Sequence, residues 1–405
     1  SLRRAACNLR GKIMKQDNNI LVKQGLVYNA VDREPAVRDI LVKNGKILKI
    51  AEKIDSNEIG EVKVLDVTGM RVYPGFVEAH CHIGLDGYAV GFEGNDYNEA
   101  TDSVTPQLRG IDGINPLDHA FYLAREGGVT TICTGPGSAN VVGGTFTAIK
   151  TYGKRVDDMT IQKEVAMKCA FGENPKRVYK DKDNMSRMAT ASKLRVLLAK
   201  TKEYDEKLTA AIEDPSKKPA FDAKLEAMLP VIRKEMPLKA HAHRADDIFT
   251  AIRIAKEFDV KLTLEHVTDG SLIAEELAKD GYPCAVGPSF GHPGKIELEN
   301  KSYETPGILA KAGCQVSIIT DAGVIPIQNL PLCAGLAVRE GMDQFEALKA
   351  ITIHPAMHIG VADRVGSIEV GKDADFVITK ADPMLSDTRV LYTIIDGTIC
   401  FQYQK

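Results

Sequence analysis

The 405-residue chain has little net charge and no long run of apolar residues. Lys and Arg number 52 and Asp and Glu number 55, so the formal net charge of −3 gives no electrostatic case for binding nucleic acid. No apolar run approaches the ~20 residues that a membrane-spanning helix needs. The arginines near the start of the chain are not followed by the apolar core of a secretory signal. These absences predict a cytoplasmic protein with neither a nucleic-acid nor a membrane partner.

The eight cysteines form no Cys-x-x-Cys pair and no dense cluster. Several fall inside predicted strands or helices, where a buried reduced thiol is the usual state, and this favours a reducing compartment. Hydrophobic residues make up 44% of the chain and charged residues 26%, which excludes a largely disordered protein. The sequence therefore predicts a folded, globular protein of enzyme size.

The most informative segment present is Glu78-Ala79-His80-Cys81-His82. In an extended strand alternate side chains share a face, so His80 and His82 project together and Cys81 points away. Imidazole binds zinc, iron, nickel and copper, so the pair predicts a transition-metal site without naming the ion. A single His-x-His is weak evidence, because partly buried strand histidines give the same pattern.

Further polar residues close apolar runs of strand length late in the chain, namely His241, His243, His266 and Asp321. Alternation predicts that Glu265, beside His266, faces outward. Functional groups at successive strand ends are typical of the α/β barrel of eight parallel strands and surrounding helices, a (β/α)8 TIM barrel. The candidate strands are 72–79, 129–134, 145–150, 165–171, 238–243, 261–267, 283–288 and 314–320.

Short alternating segments with Gly and Asp turns lie at both ends of the chain, with Lys43-Asn44-Gly45-Lys46 as a hairpin turn. These segments predict a small β-sandwich domain built from both chain ends, over residues 12–70 and 363–405. The barrel is predicted over residues 71–362 and carries the site.

Several segments together resemble the amidohydrolase superfamily over roughly residues 20–400. They are the run 74–82, His241, His266, Thr320-Asp321 and the tail 364–375. The branch that is most similar contains the imidazolonepropionase-related amidohydrolases, with prolidase-like enzymes among them. The resemblance implies a metal-dependent hydrolase of amide or related carbon–nitrogen bonds, acting by metal-activated hydroxide. The first motif departs from the usual Asp-x-His-x-His, because Glu78 stands in place of the Asp.

The resemblance also implies a ligand set for one or two divalent ions, zinc foremost, with iron or manganese as alternatives. The positions that match are His80, His82, His241, His266 and Asp321. Glu173 is the expected sixth ligand at the end of strand four, and Lys168 or Lys150 is the alternative if that strand carries a carbamylated lysine. Asp321 and His266 are the expected catalytic residues, with Asp321 moving the proton.

The resemblance and the strand positions also suggest substrate contacts. His243 would contact substrate beside His241, and His292 lies in the loop after strand seven. Arg109 is the candidate for a substrate carboxylate, with Arg177, Arg187 and Arg244 as alternatives. The expected substrate is a small cyclic amide, N-acyl amino acid or dipeptide, and a homo-oligomer is expected. The alternatives are a single-metal deaminase of a nucleobase-like substrate and a metal-free structural protein on the same barrel.

Overall fold

The computed structural model describes residues 18–55, 60–89 and 91–404, so the predicted start of the small domain at residues 12–17 lies outside it. The strands are β1 Ile20–Val27, β2 Ala36–Lys43, β3 Lys46–Ala51, β4 Lys63–Asp66, β5 Arg71–Pro74, β6 Phe76–Cys81, β7 Val129–Thr134, β8 Val142–Lys150, β9 Thr160–Ala170, β10 Leu238–Ala242, β11 Leu262–His266, β12 Cys284–Val286, β13 Val316–Ile318, β14 Phe376–Thr379, β15 Val390–Ile395 and β16 Thr398–Gln402. The helices are α1 Ala120–Glu126, α2 Val156–Met159, α3 Glu173–Tyr179, α4 Arg187–Glu213, α5 Ala223–Ile232, α6 Ala245–Phe258, α7 Ala274–Asp280, α8 Thr305–Ala312, α9 Leu330–Arg339, α10 Gln344–Lys349 and α11 Ile353–His358. None of the helices in these ranges is long and apolar enough to cross a membrane.

Strands β6 to β13 lie side by side in chain order and form the barrel sheet, so the predicted barrel is confirmed. The expectation that all eight strands run parallel is wrong at β8, which is antiparallel to both β7 and β9. The reason is the length of the connections. Residues 135–141 and 151–159 are too few for a crossover between parallel strands, which needs a dozen or more residues.

The barrel is nearly closed between β6 and β13, where residues 350–351 take the place of a direct strand ladder. Val77 donates its backbone N–H to Ile351 O at 2.9 Å, and Ile318 donates to Ala350 O at 2.8 Å. The Glu78 carboxylate spans the same seam, because its Oε2 accepts from the backbone and hydroxyl of Thr320 at 2.8 and 2.6 Å. Burial raises the pKa of Glu78 to about 8. The acid of the first motif therefore ties the two edge strands together.

The helices cover the barrel with apolar faces. α6 is an example, because Ile248, Ala251, Ile252 and Ala255 are all buried on one side of it. Its first turn carries two acidic residues, which favour a helix N-terminus, and it ends at Asp259 in the left-handed conformation. This packing fixes the strands whose carboxyl ends carry the site.

Both chain ends contribute to the second sheet, as predicted. Its strand order is β16-β15-β14-β5-β1-β2-β3, with β4 beside β1. Hydrogen bonds join these strands into a single sheet of eight. β5 belongs to this sheet although it follows the predicted boundary at residue 70. The domain boundaries themselves stay a prediction.

A buried ion cluster joins the barrel to this sheet. Lys150, at the end of β8, places its Nζ 2.5 Å from Asp375 Oδ2, 3.0 Å from Asp373 Oδ2 and 3.4 Å from Asp396 Oδ1. These acids raise the pKa of Lys150 against the effect of burial. Lys150 therefore belongs to a structural cluster and not to the predicted metal site.

Replacing Lys150 with Met should lower the free energy of unfolding by about 3–5 kcal/mol at neutral pH, because it leaves buried carboxylates without a partner. Burial already raises the pKa of Asp375 from 3.8 to about 6. Without the ammonium group the acids are protonated more readily in the folded protein than in the unfolded chain. The deficit should therefore shrink as the pH falls from about 7 to about 5. Urea denaturation of the variant and the wild type at both pH values measures this difference in the free energy of unfolding. The exposed Lys154→Met is the matched control, and an equal deficit at both pH values would contradict the explanation.

Candidate functional site

The carboxyl ends of the barrel strands bring imidazoles and one carboxylate together in two overlapping groups. His241, His243 and His266 form one group, and His80, His266 and Asp321 form the other. Within each group the candidate ligand atoms all lie within 4.8 Å of one another, and His266 belongs to both. His82 adjoins the second group, with its Nε2 3.3 Å from Asp321 Oδ1. All five predicted metal ligands other than Glu173 meet here.

Each of these histidines has its Nδ1 held by a neighbour. The partners are Glu265 Oε2 for His80 at 2.9 Å, Gly135 O for His82 at 2.8 Å, Ser138 Oγ for His241 at 2.8 Å, Thr268 Oγ1 for His243 at 2.7 Å and Gly287 O for His266 at 2.8 Å. Partners of this kind orient metal-binding imidazoles in proteins. Carbonyl and carboxylate oxygens only accept, so His82 donates from Nδ1, and the neutral imidazoles of His80 and His266 carry their proton on Nδ1 and leave a lone pair on Nε2.

The free atoms of the cluster fit a cation. His241 Nε2, His266 Nε2 and Asp321 Oδ1 are buried and have no hydrogen-bond partner among the residues described. The candidate ligand atoms of His266 and Asp321 lie within 4.8 Å of each other. Buried acceptors facing one another are costly unless something positive lies between them. The donor set of imidazole nitrogens and a carboxylate suits a divalent metal ion.

Burial sets the protonation of the cluster. It lowers the pKa of His80, His241 and His266 well below the ordinary value, and lowers that of His243 to about 4. Burial alone would raise the pKa of Asp321, but the surrounding imidazoles, His82 foremost, hold it below its ordinary value. At neutral pH the imidazoles of His80, His241, His243 and His266 are therefore neutral, and Asp321 is ionised.

The backbone at two strand ends adopts an uncommon conformation. His266 has a φ of 77°, and Asp321 has a φ of 51°. The left-handed region is strained for residues other than glycine and is often found at functional sites. This turn lets His266 reach the barrel mouth although Glu265, one residue earlier, points into the barrel interior.

The prediction from alternation that Glu265 faces outward is therefore wrong. It is fully buried and accepts hydrogen bonds from His80 on β6 and Lys239 on β10, at 2.9 and 2.8 Å. His358 Nε2 lies 2.8 Å from its other oxygen. β6 is not a neighbour of β11 in the sheet, so the contact with His80 crosses the barrel interior. The hydrogen bond from Glu265 thus fixes the orientation of the His80 ring from inside the barrel.

The structure distinguishes among Glu173, Lys168 and Lys150, the three candidates for the remaining ligand. Lys168, on β9, is fully buried with its Nζ 3.1 Å from His80 Nε2, and burial lowers the pKa of Lys168 to about 8. Glu173 lies in neither ligand group. β9 ends at Ala170, and Glu173 is the first residue of α3. The Oε1 atom of Glu173 accepts from the backbone N–H of Glu297 at 3.1 Å. Of the three candidates, Lys168 is the one brought to the histidines.

Two predicted substrate contacts are not brought to the cluster. Arg109 is exposed and pairs with Asp112 at 3.0 Å. His292 is exposed and does not line the cavity in front of the cluster. His243 does line it and, as one of the first ligand group, lies closer to the centre than expected.

A cavity of about 400 Å³ opens onto the cluster. Besides the histidines and Asp321, its lining includes Asp86, Tyr97, Asn98, Arg177 and Lys295. Sequence patterns did not single out Asp86, Tyr97, Asn98 or Lys295. Lys168 carried a usable signal, since a lysine inside the apolar run of a central strand needs a reason to be buried.

Comparisons with known proteins agree with this geometry. The amidohydrolase family matches residues 71–400. A solved amidohydrolase from Thermotoga maritima MSB8 is similar over 95% of this chain and 100% of its own, with a TM-score of 0.91 and 40% identity. The amidohydrolase tasK of Hapsidospora irregularis is 28% identical over 90% of this chain, which spans only 40% of that protein. The imidazolonepropionase of Symbiobacterium thermophilum is 25% identical over 84% of this chain and 83% of its own length. The extent of these matches shows that the chain belongs to the amidohydrolase family.

Proposed function

We propose that the protein is a metal-dependent hydrolase that cleaves an amide or cyclic amide bond of a small molecule. The observation that carries the proposal is the convergence of Nε2 lone pairs on the ionised Asp321, with buried acceptor atoms that lack a partner within the described residues. A divalent cation would satisfy these atoms together. The cavity of about 400 Å³ in front of them has the size of a small-molecule site.

The metal would be held by the two groups described above. Both groups contain His266, which has one free nitrogen, so they overlap at this ligand; the site would hold one or two ions, with zinc as the leading candidate and iron or manganese as alternatives. A bound divalent ion supplies two things that amide hydrolysis needs, a water of lowered pKa and stabilisation of the charge that develops on the carbonyl oxygen. Neutral histidines with fixed Nδ1 partners keep the site in the form that binds metal.

Asp321 is the proposed proton carrier. Its Oδ1 lies 3.3 Å from His82 Nε2 and 3.8 Å from His80 Nε2, at the centre of the cluster, and it lines the cavity. From this position the carboxylate takes the proton of the attacking water and returns it to the departing nitrogen. The nitrogen then leaves as a neutral amine, which makes cleavage of the carbon–nitrogen bond possible.

We propose further that Lys168, and neither Glu173 nor Lys150, supplies the remaining carboxylate as a carbamate. Its Nζ is already at the cluster, 3.1 Å from His80 Nε2. In this step the amine nitrogen bonds to the carbon of CO2 and loses one proton to solvent, which leaves an anionic carboxylate on the lysine. The product offers the oxygen ligands that a second ion requires.

Labelling with 13C-bicarbonate should give one carbamate resonance in the metal-loaded protein and none in Lys168→Ala. Turnover of Lys168→Ala should fall about 100-fold, because the loss of a supporting metal contact has effects of this size. A short carboxylic acid such as propionate should restore part of it. Lys295→Ala, which removes a lysine that lines the cavity, is the control and should keep the resonance. A resonance that survives in Lys168→Ala would contradict the assignment.

A substrate panel tests the function itself. Dipeptides, N-acyl amino acids and cyclic amides should release products in the presence of zinc, with Arg177 at the cavity in place of Arg109 as the contact for a substrate carboxylate. Elemental analysis should find bound metal after purification. Release of ammonia from nucleobases, with no cleavage of amides, would redirect the proposal to a deaminase. A metal-free protein without activity would overturn it.

A further inference from the structure

We propose that Asp86 binds a cationic nitrogen of the substrate beside the catalytic centre, and this inference rests on the hydrolase function proposed above. The substrate class is then an amide that carries an ammonium group close to the bond that is cleaved. Asp86 lies outside both metal-ligand groups, so this role is separate from metal binding.

The position of Asp86 is fixed relative to the metal cluster. It follows His82 by one turn, and its backbone N–H donates to His82 O at 3.1 Å. The side chain lines the cavity together with Asp321 and Gly323, although the residue is only 7% exposed. A group bound at this carboxylate would therefore share the cavity with the proposed proton carrier.

One oxygen of Asp86 is used within the protein and the other is not. Oδ1 accepts from the backbone N–H of Tyr88 at 3.2 Å. For Oδ2, the described residues provide neither a hydrogen bond nor an ion pair. Because Asp86 lines the cavity, this oxygen is free to accept from a donor that arrives with a ligand.

The close approach of Asp86 to Gly323 shows that the site is shaped around this oxygen. A Cβ at position 323 would collide with Asp86 Oδ2. Gly323 also lines the cavity, so the lack of a side chain there leaves the carboxylate accessible from the substrate side.

A second acid near Asp86 favours a cation at this carboxylate. The nearby acid Asp118 contributes to raising the pKa of Asp86, after the larger effect of burial. Lys295, a cation of the lining, is occupied by Glu297 at 2.9 Å. An ammonium group offers three donors and would satisfy Oδ2 while balancing the local negative charge.

Two compounds that differ only in the ammonium group provide the test, L-leucyl-L-alanine and its des-amino analogue 4-methylpentanoyl-L-alanine. The metal-loaded wild-type protein should prefer the first by about 100-fold in kcat/KM, which is the usual size for a buried charge-assisted contact. Asp86→Asn should reduce this preference to near unity. Asp118→Asn is the matched control, because it removes a neighbouring buried charge that does not line the cavity, and it should keep the preference.

Calorimetry gives a second readout that does not depend on turnover. The same two compounds are titrated into metal-loaded Asp321→Asn protein with and without Asp86→Asn. If the wild-type protein hydrolyses neither compound but binding still depends on Asp86 and the ammonium group, the inference stands and the hydrolase function fails. Equal binding of both compounds, binding of neither, or an equal effect of Asp118→Asn would overturn the inference.

Discussion

Asp321→Asn should lower turnover by about 10²–10⁴-fold while the protein stays folded, because general acid–base groups contribute rate factors of this size. The carboxylate is held among imidazoles and accepts no hydrogen bond from any described residue at Oδ1. An amide in its place has nearly the same shape but cannot take up the proton of water. Steady-state kinetics on the best substrate of the panel measures the effect, with circular dichroism to verify the fold.

The control for this variant is the metal content. Asp321 belongs to a ligand group, so loss of the ion would also stop turnover. Elemental analysis should find that Asp321→Asn keeps most of its metal when zinc is supplied in excess. Asp112→Asn, an exposed acid paired with Arg109, should behave like the wild type. If turnover and metal content fall in the same proportion, Asp321 is a ligand only and the proton-transfer role is wrong.

The sequence predicted the parts of the site that depend on strand alternation. His80 lies on β6 and His82 directly after it, two residues apart in extended chain, and the structure places both at the centre. His241 on β10 and His243 directly after it follow the same rule. These positions needed only a local pattern, and the pattern survives folding because the barrel interior accepts one face of each strand.

The sequence could not show where the alternation of side chains along a strand is broken, or which partner a loop residue contacts in the folded protein. His266 reaches the site through a positive φ, so the inward face of β11 belongs to Glu265. The antiparallel β8 follows from the length of its connections, which a search for strand-like runs does not weigh. Glu173 and Arg109 were chosen by their nearness to strand ends, yet each is held by another partner. The expected self-association and cytoplasmic location stay predictions.

A polar layer below the metal cluster explains why this barrel tolerates so many buried charges. The carboxylate of Glu265 accepts from His80, Lys239 and His358, and Lys239 also donates to the backbone of Ala79 at 2.9 Å. These partners lower the pKa of Glu265 well below its ordinary value despite burial. Each charge has an opposite charge or a hydrogen bond, which is the condition for keeping it inside. The layer therefore gives the metal site a rigid base.

His266→Ala should have the largest effect on metal binding, because His266 is the one residue that both described ligand groups contain. Its loss leaves each group with two of its three members. We expect metal to be lost whichever of the two groups holds it, and turnover to fall at least as far as in Asp321→Asn. Elemental analysis and zinc titration with a chromogenic chelator measure the stoichiometry directly.

His243→Ala is the matched control, because it removes a buried imidazole from one group and leaves the group of His80, His266 and Asp321 complete. This variant should still bind metal at the group of His80, His266 and Asp321. The comparison separates a shared ligand from a general effect of opening the cavity, since both substitutions delete the same side chain within the same cluster. If His266→Ala and His243→Ala lose the same amount of metal, His266 is no more important to metal binding than His243, and the ion is coordinated by a different set.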